Sequence, residues 1–416
     1  MSEVSKRAPR TAAPVATVRH GRLKKSAAWK TVLGFIGGTL AMLLVAGSSV
    51  AAIAVWQLQD SIDTEEIPFD TQGPPPAIAE YEGGFNILLV GSDTREGQGD
   101  AYGHETAVLN DVNMLLHVAA DQKSAVLVSI PRDMVVPLPD CENGGPATGE
   151  PINTTLYYGG LSCTVETVQN LTGLPIQFAG IITFNGVIAM STAVGGVEVC
   201  ADEAIFDPYT GLNIPAGAST LEGFPALAFL RSRHGVGDGS DLGRISSQQV
   251  FLSSLVRKIK SDDTLTNLPR LYAIAQAATQ NMTLSENFAR LDTLVSIALV
   301  LKNIPLENIV MVQYPSRTGG TGIYLGKVQP VTSTANALFA AIKADTPIGL
   351  DANAIGANGG SELNPNAPAP STPAADPSAT PDPAATPEET VAPVDTQVIP
   401  GLKGQTAAQY TCSVAN

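Results

Sequence analysis

Between residues 61 and 250 the chain carries six basic side chains, and five of them are arginines: Arg95, Arg132, Arg231, Arg233 and Arg244, beside Lys123. Each of the five falls by the end of an apolar run, a proline turn or a glycine-flanked junction. A merely solvated surface would use more lysine and scatter it. Arginine is preferred where a planar fork must grip phosphate or carboxylate through two parallel hydrogen bonds, so the pattern points to an anionic ligand. Carboxylates accompany the arginines in four clusters. Gly91-Ser92-Asp93-Thr94-Arg95 follows the run FNILLV, Asn110-Asp111 precedes NMLLHVA, and Ser129-Ile130-Pro131-Arg132-Asp133 closes AVLVSI. The fourth is Arg231-Ser232-Arg233-His234, followed by GVGDGSDLG and Arg244. Asp93 and Asp111, at the mouths of two strands, have the chemistry to share a hard cation such as Mg2+. Arg231 and Arg233 are two apart and diverge on a regular helix, so both reach one ligand only if the chain leaves the helix between them. Other chemistries lack their parts: the chain has no GxSxG, HExxH, GxxxxGK[ST] or CxxC, and only four histidines.

These clusters need a scaffold that brings strand ends together. Residues 85–90, 113–119 and 125–130 are short runs dense in Val, Leu and Ile, bounded by Gly, Asp or Pro, and read as buried strands. Helical patterns are expected near 164–171, 223–233, 243–260, 267–281 and 286–302, with further strands near Ile181, at 197–199 and at 309–313. The alternation predicts an α/β fold, a central mixed sheet flanked by helices, with ligands at the carboxyl ends of its strands.

The basic residues outside this region are arranged differently. Residues 1–30 carry eight Lys or Arg against Glu3, and no charge follows from Thr31 to Gln59. The run 31–56 is long enough to span a hydrocarbon layer of about 30 Å, and is too long for a signal peptide. The expected topology is a cytoplasmic basic tail (1–30), one membrane helix (31–56), a polar stalk (57–84) and a main domain (85–350) outside the cell membrane. Residues 351–400, with ten prolines from Pro365 to Pro400, read as a disordered linker, and 401–416 as a terminal segment carrying Cys412. The chain as a whole carries a net charge of -15, which argues against a nucleic-acid ligand. The four cysteines all follow the span, in a compartment where disulfides persist. Of three possible connectivities, Cys141 with Cys163 and Cys200 with Cys412 is preferred.

The order and spacing of GSDTR, an Asp before the next strand, SIPRD, INTTLYYGG, VGGVEV, LEGFPALAFLRSRH, DGSDLGR and QQVFL resemble the LytR-CpsA-Psr family of bacterial envelope proteins, strongly over 85–261. The resemblance implies a phosphotransferase that moves a glycopolymer from a polyprenyl-pyrophosphate carrier to a peptidoglycan hydroxyl, usually with Mg2+, with Mn2+ as a substitute. By matching motif, Asp93 and Asp111 would organise the metal. Arg95, Arg132, Arg231 and Arg233 would clamp the pyrophosphate, with Arg244 and Gln248 or Gln249 close behind and Asp133 and Asp241 in support. The catalytic group would be Asp93, Arg132, Asp133, Arg231 and Arg233. The competing expectation is a wall-tethered module that binds polyprenyl phosphate or glycan without catalysis.

Overall fold

A computed structural model of the chain describes scattered positions between 36 and 59, then residues 62–65, 67, 83–94, 108–145, 149–261, 267–356, 361–364 and 396–416. The chain forms two compact units, Met1–Trp56 and Gln57–Asn416. In the first, the described positions are helical and exposed. Among the described residues no helix is long and apolar enough to cross a membrane. The basic tail and much of the apolar run lie outside the described residues, as do Arg95 and the segment 365–395.

The second unit is built from fourteen strands and seven helices that matter here. In chain order they are β1 (Asp63–Glu65), β2 (Phe85–Ser92), β3 (Asn110–Val118), β4 (Ala125–Ile130), α1 (Thr155–Thr172), β5 (Phe178–Ile182), α2 (Phe184–Ala193) and β6 (Val197–Ala201). Then follow β7 (Ile205–Asp207), β8 (Leu212–Ile214), β9 (Gly217–Leu221), α3 (Phe224–Arg231), α4 (Asp241–Lys260), α5 (Leu268–Asn281), β10 (Met282–Ser285) and α6 (Leu291–Asn303). The last are β11 (Ile309–Gln313), α7 (Thr332–Lys343), β12 (Ser361–Leu363), β13 (Gly404–Thr406) and β14 (Thr411–Ser413).

Eight strands make the central sheet in the order β1-β10-β5-β2-β3-β4-β11-β13. It is mixed: β5 runs parallel to β2 and β11 to β4, while β2, β3 and β4 form an antiparallel meander. Both faces are covered, which is why the strand runs are apolar throughout rather than alternating. Leu88, Val90, Leu115 and Val128 enter one core with α1 and α7 residues such as Leu161, Val165 and Leu338. Phe85, Ile87, Val118 and Met311 enter the other with Ile297 and Val300 of α6. Each such side chain contributes about 1.5 to 3 kcal/mol by leaving water. The architecture is the expected helix-sheet-helix sandwich.

A smaller four-stranded sheet, β9-β6-β14-β12, packs with α3 and α4 around a third core that includes Val199, Ile205, Phe229 and Phe251. Both ends of the chain contribute more than expected. The region read as a stalk supplies β1, which pairs in parallel with β10, and the segment 401–416 supplies β13 to the central sheet and β14 to the smaller one. The folded body is therefore wider than 85–350. Two disulfides join Cys141 to Cys163 and Cys200 to Cys412, with Cα separations of 5.5 and 4.3 Å. α1 comprises two helical segments separated by non-helical backbone at Gly159 and Gly160, where Gly160 takes φ 61°, ψ -154°, a conformation open to glycine; the second segment is the one expected near 164–171.

Candidate functional site

The site lies at one edge of the sheet, where β2 and β4 end and β3 begins. Gly91 brings β2 so close to β3 that a Cβ there would sit 3.0 Å from the Val112 side chain. Immediately after it the register shifts: Gly91 pairs with Val112 but Ser92 pairs with Asn110. Asp111 is the extra residue of this bulge, a device that re-aims a side chain at a sheet rim. Its Oδ1 accepts from Arg132 Nη1, and its carbonyl accepts from Arg244 Nη2 at 3.1 Å. Asp93 closes the neck of the loop between β2 and β3. Its N–H donates to Leu109 O at 3.0 Å and its Oδ1 accepts from Leu109 N at 2.8 Å.

Pro131 ends β4 and turns Arg132 and Asp133 into the same space. Arg132 meets three carboxylates: Asp111, Asp133 (Nε to Oδ1, 3.8 Å) and Asp241 (Nε to Oδ1, 4.0 Å). Asp241 opens α4 behind the N-cap Ser240, whose side chain accepts from Gly243 N. Its Oδ2 accepts from the Arg132 backbone N–H at 3.2 Å, and its Oδ1 takes Arg244 Nη2. Burial opposes the charge of Arg132, but Asp111, Asp133 and Asp241 outweigh it and its pKa is raised.

α3 ends at Arg231, and Ser232 is extended at φ -60°, ψ 130°, so the chain leaves the helix between the two arginines. Arg233 then reaches Asp133 Oδ2 through Nη2 at 3.5 Å. Its pKa is lowered, first by burial and then by the neighbouring positive charges of Arg244 and Arg132, against the pull of Asp241 and Asp133. Arg231 takes a separate station, its guanidinium 4.3 Å from the centre of the Phe184 ring. The loop is anchored by a residue the sequence reading missed. Asp207 is fully buried and accepts from Ser232 Oγ at 2.7 Å and from the Arg233 N–H at 3.2 Å.

Beside the charged cluster opens an apolar groove of about 290 Å³. Its walls come from β2, β3, the end of β5, α2, α3 and α4, with Ile182, Val187, Met190, Leu230, Phe251 and Leu255 among them. Asp111, Arg231, Arg244 and Gln248 also line it, so one cavity joins an apolar wall to arginine and carboxylate. Among the described residues, two buried guanidinium donors, Arg132 Nε and Arg244 Nε, have no hydrogen-bond partner, the former facing Asp133 and Asp241 only at ion-pair distance. Unpaired buried donors are costly and mark places where an acceptor belongs.

Gln248 lines the groove and donates to Leu230 O at 2.9 Å, whereas Gln249 turns from it, its backbone carbonyl accepting from Gln405. Of the expected site residues the fold thus assembles Asp111, Arg132, Asp133, Arg233, Asp241 and Arg244 into one network, with Arg231 and Gln248 on the groove wall and Asp93 at the adjoining loop neck. Among the described residues no three His, Cys, Asp or Glu side chains group as a metal site. The groove wall was also missed, although one signal was present: from Phe184 to Val197, α2 and its exit contain no charged residue.

The arrangement resembles known proteins as follows. A family model described as the LytR_cpsA_psr family matches residues 51–340. The cell wall biosynthesis protein LcpA of Corynebacterium glutamicum is 32% identical over 275 residues, 58% of this chain and 52% of that protein, so the chain spans about half the length of that relative. The polyisoprenyl-teichoic acid–peptidoglycan teichoic acid transferase TagT of Bacillus subtilis is 27% identical over 313 residues, covering 73% of this chain and 92% of that one. Among solved structures, a LytR-Csp2A-Psr enzyme from Actinomyces oris superposes with a TM-score of 0.51 at 22% identity, over 68% of this chain and 95% of that chain. TagV of B. subtilis gives 0.52 at 21% identity, over 64% and 98%. These two share the sandwich fold. With the motifs at the strand ends and the family match over most of the second unit, the chain belongs to the LytR-CpsA-Psr family.

Proposed function

We propose that this chain is a phosphotransferase that moves a glycopolymer from a polyprenyl-pyrophosphate carrier to a hydroxyl of peptidoglycan, on the outer side of a membrane it crosses once through residues 31–56. The names of its relatives, cell wall biosynthesis proteins and teichoic acid transferases, support a glycopolymer transferase. The observation that carries the finer reading is the single cavity in which an apolar groove runs up to Arg231, Arg244 and Asp111. An apolar chain bearing a phosphate at one end has this profile, and a free sugar phosphate would not need the groove.

In the reaction the acceptor hydroxyl oxygen attacks the phosphorus attached to the glycan. A P–O bond forms, the P–O bond to polyprenyl phosphate breaks, and polyprenyl phosphate leaves with the electron pair. Arg132, Arg233 and Arg244 neutralise the charge, with Arg231 at the groove mouth, and the fixed positions of these four cost no reorganisation. Asp133 or Asp93 takes the hydroxyl proton. Asp93 and Asp111 are the residues that would hold Mg2+ or Mn2+: both offer oxygen only, they stand at neighbouring strand ends, and phosphate oxygens and water complete such a site. The bound cation would supply Lewis-acid neutralisation of the pyrophosphate.

The test is purified full-length protein with a lipid-linked glycan and uncross-linked peptidoglycan. Arg231→Ala and Arg233→Ala should each lower transfer at least about tenfold, the loss expected for one charge-assisted pair. EDTA should abolish transfer, and Mg2+ or Mn2+ should restore it. Unchanged turnover in both arginine variants would overturn the assignment.

A further inference from the structure

The groove and the arginines account for the lipid and its phosphates but provide nothing that grips the acceptor. The second surface beside the arginine loop is the hairpin of β7 and β8. Phe206 is 66% exposed on its outward face and Tyr209 is 77% exposed in its turn, while Phe224 at the start of α3 is 49% exposed. These rings are not loosely held. The Tyr209 ring lies over His234 with centroids 4.3 Å apart, and His234 directly follows Arg233. Phe224 packs over Gly211, whose φ of 75° lets the turn pass beneath the ring. Asp207, in the same hairpin, accepts from the Tyr209 N–H at 3.0 Å through Oδ1 and from Ser232 and Arg233 through Oδ2. One buried carboxylate therefore ties the exposed aromatic turn to the arginine loop.

Apolar surface of this kind marks an interaction site, and the charge around it selects the occupant. Besides the buried Asp207, the charges from Val197 to Phe224 are the exposed Glu198, Glu203 and Glu222 and the half-buried Asp202, with no lysine or arginine. An anionic membrane surface is repelled by such a rim, because attraction to it depends on basic residues. A pyranose ring has an apolar face that stacks on an aromatic ring and hydroxyl or amide edges that bond to carboxylates, so a glycan fits both features. We propose that Phe206, Tyr209, Phe224 and His234 form an acceptor subsite on which sugar rings of a peptidoglycan strand stack, holding the receiving hydroxyl beside Arg233. This inference deepens the function proposed above and rests on it for the identity of the glycan.

The experiment measures binding without turnover. Full-length protein in detergent is titrated with fluorescently labelled, uncross-linked glycan strands and, separately, with polyprenyl phosphate. Tyr209→Ala and Phe206→Ala should each weaken glycan binding by roughly three- to tenfold, the scale of one lost aromatic stack, and the double variant by more. Tyr209→Phe should retain glycan affinity, and polyprenyl phosphate affinity should not change in any of them. Because both side chains are exposed, thermal unfolding should stay at the wild-type temperature. In the transfer assay the acceptor KM should rise while the lipid KM holds. Glycan affinity unchanged in the double variant would overturn the subsite, as would variants that keep glycan affinity but lose attachment to anionic vesicles. Failure of lipid binding and transfer in the wild-type protein, with glycan binding still lost on removing the rings, would instead refute the phosphotransferase reading and leave the glycan surface standing.

Discussion

The apolar groove and the charged cluster at its mouth meet at Asp111 and Arg244 but are built by different rules. The groove wall is made of side chains on regular elements, α2, α3, α4 and the central strands, whose positions follow from packing against two cores. The mouth is made of residues at places where regular structure stops: a β-bulge at Asp111, a proline turn at Arg132, a helix exit at Ser232 and a helix start at Asp241. Packing tolerates many apolar choices of similar volume. A network in which Arg132 faces three carboxylates tolerates few, because removing the arginine leaves three carboxylates drawn together without the charge that holds them. The wall should therefore respond to changes of shape and the mouth to changes of charge.

The largest expected effect strikes the mouth from a distance. Val414 and Asn416 pair with the arginine loop, through Gly237 N to Val414 O at 2.9 Å and Asn416 N to Gly235 O at 3.2 Å, and Cys412 ties this end to Cys200. Loss of the Cys200–Cys412 bond in the double alanine variant should cost up to about 5 kcal/mol, against about 3 kcal/mol for Cys141–Cys163, because the loop it closes is longer. Denaturant unfolding checks the ranking. A Cys200/Cys412 double alanine variant kept folded should still hold polyprenyl phosphate but transfer slowly, since the arginine loop loses its brace while the groove keeps its walls.

Next in size is Arg132→Ala, which should lower transfer by roughly a hundredfold by removing two charge-assisted contacts. Arg132→Lys should recover little, since a point charge cannot reproduce the fork. Full recovery by lysine would show that charge alone matters at the mouth. Smaller again is Val187→Trp, which narrows the groove. Retention of a long polyprenyl phosphate should fall about tenfold, the scale of one displaced apolar segment, while a short-tailed analogue binds as before. Equal loss for both tails would erase the distinction between wall and mouth.

The smallest effect is a pH dependence. Burial favours protonation of Asp207, but hydrogen bonds from Ser232, Tyr209, Arg233 and Gly235 outweigh it and hold its carboxyl below the usual range. A depressed folded-state pKa contributes stability that is fully present above the unfolded value near 3.9 and is lost as pH falls through the folded one. Asp207→Asn should therefore lower stability at neutral pH and flatten its acid limb, the difference from the wild-type protein shrinking as pH falls. An unaltered acid limb would remove Asp207 as the anchor of the arginine loop.

The contrast also explains what could be read from the amino-acid sequence. The central strands were legible because burial on both faces makes them unbroken Val, Leu and Ile runs, and α4 and α5 because their caps and periods are regular. The mouth residues were legible by type, as arginines too few and too well placed for a solvated surface. α2 was missed: FNGVIAMSTA has a glycine and no charge to mark an outer face, since one side of it serves the groove. β1, β13 and β14 were missed because three-residue strands have no period to detect, and only their partners make them strands. Gln249 looked equivalent to Gln248 until the helix turned one toward the groove and the other away. Ser247, buried against Ser413 at 2.6 Å, makes sense only once the end of the chain is seen to return beside α4.

That return has a covalent consequence. Cys200 and Cys412 are 212 residues apart in sequence, so their bond makes most of the second half of the molecule, including α3, α4 and the proline-rich segment, a closed ring. A single cut anywhere in the ring opens it without dividing the molecule. A single proteolytic cut in the proline-rich segment would leave β13 and β14 attached to the body, and the two pieces would separate only after reduction. The arrangement makes the proline-rich segment expendable as a connection: the chain end that braces the arginine loop is held by sulfur as well as by the peptide backbone.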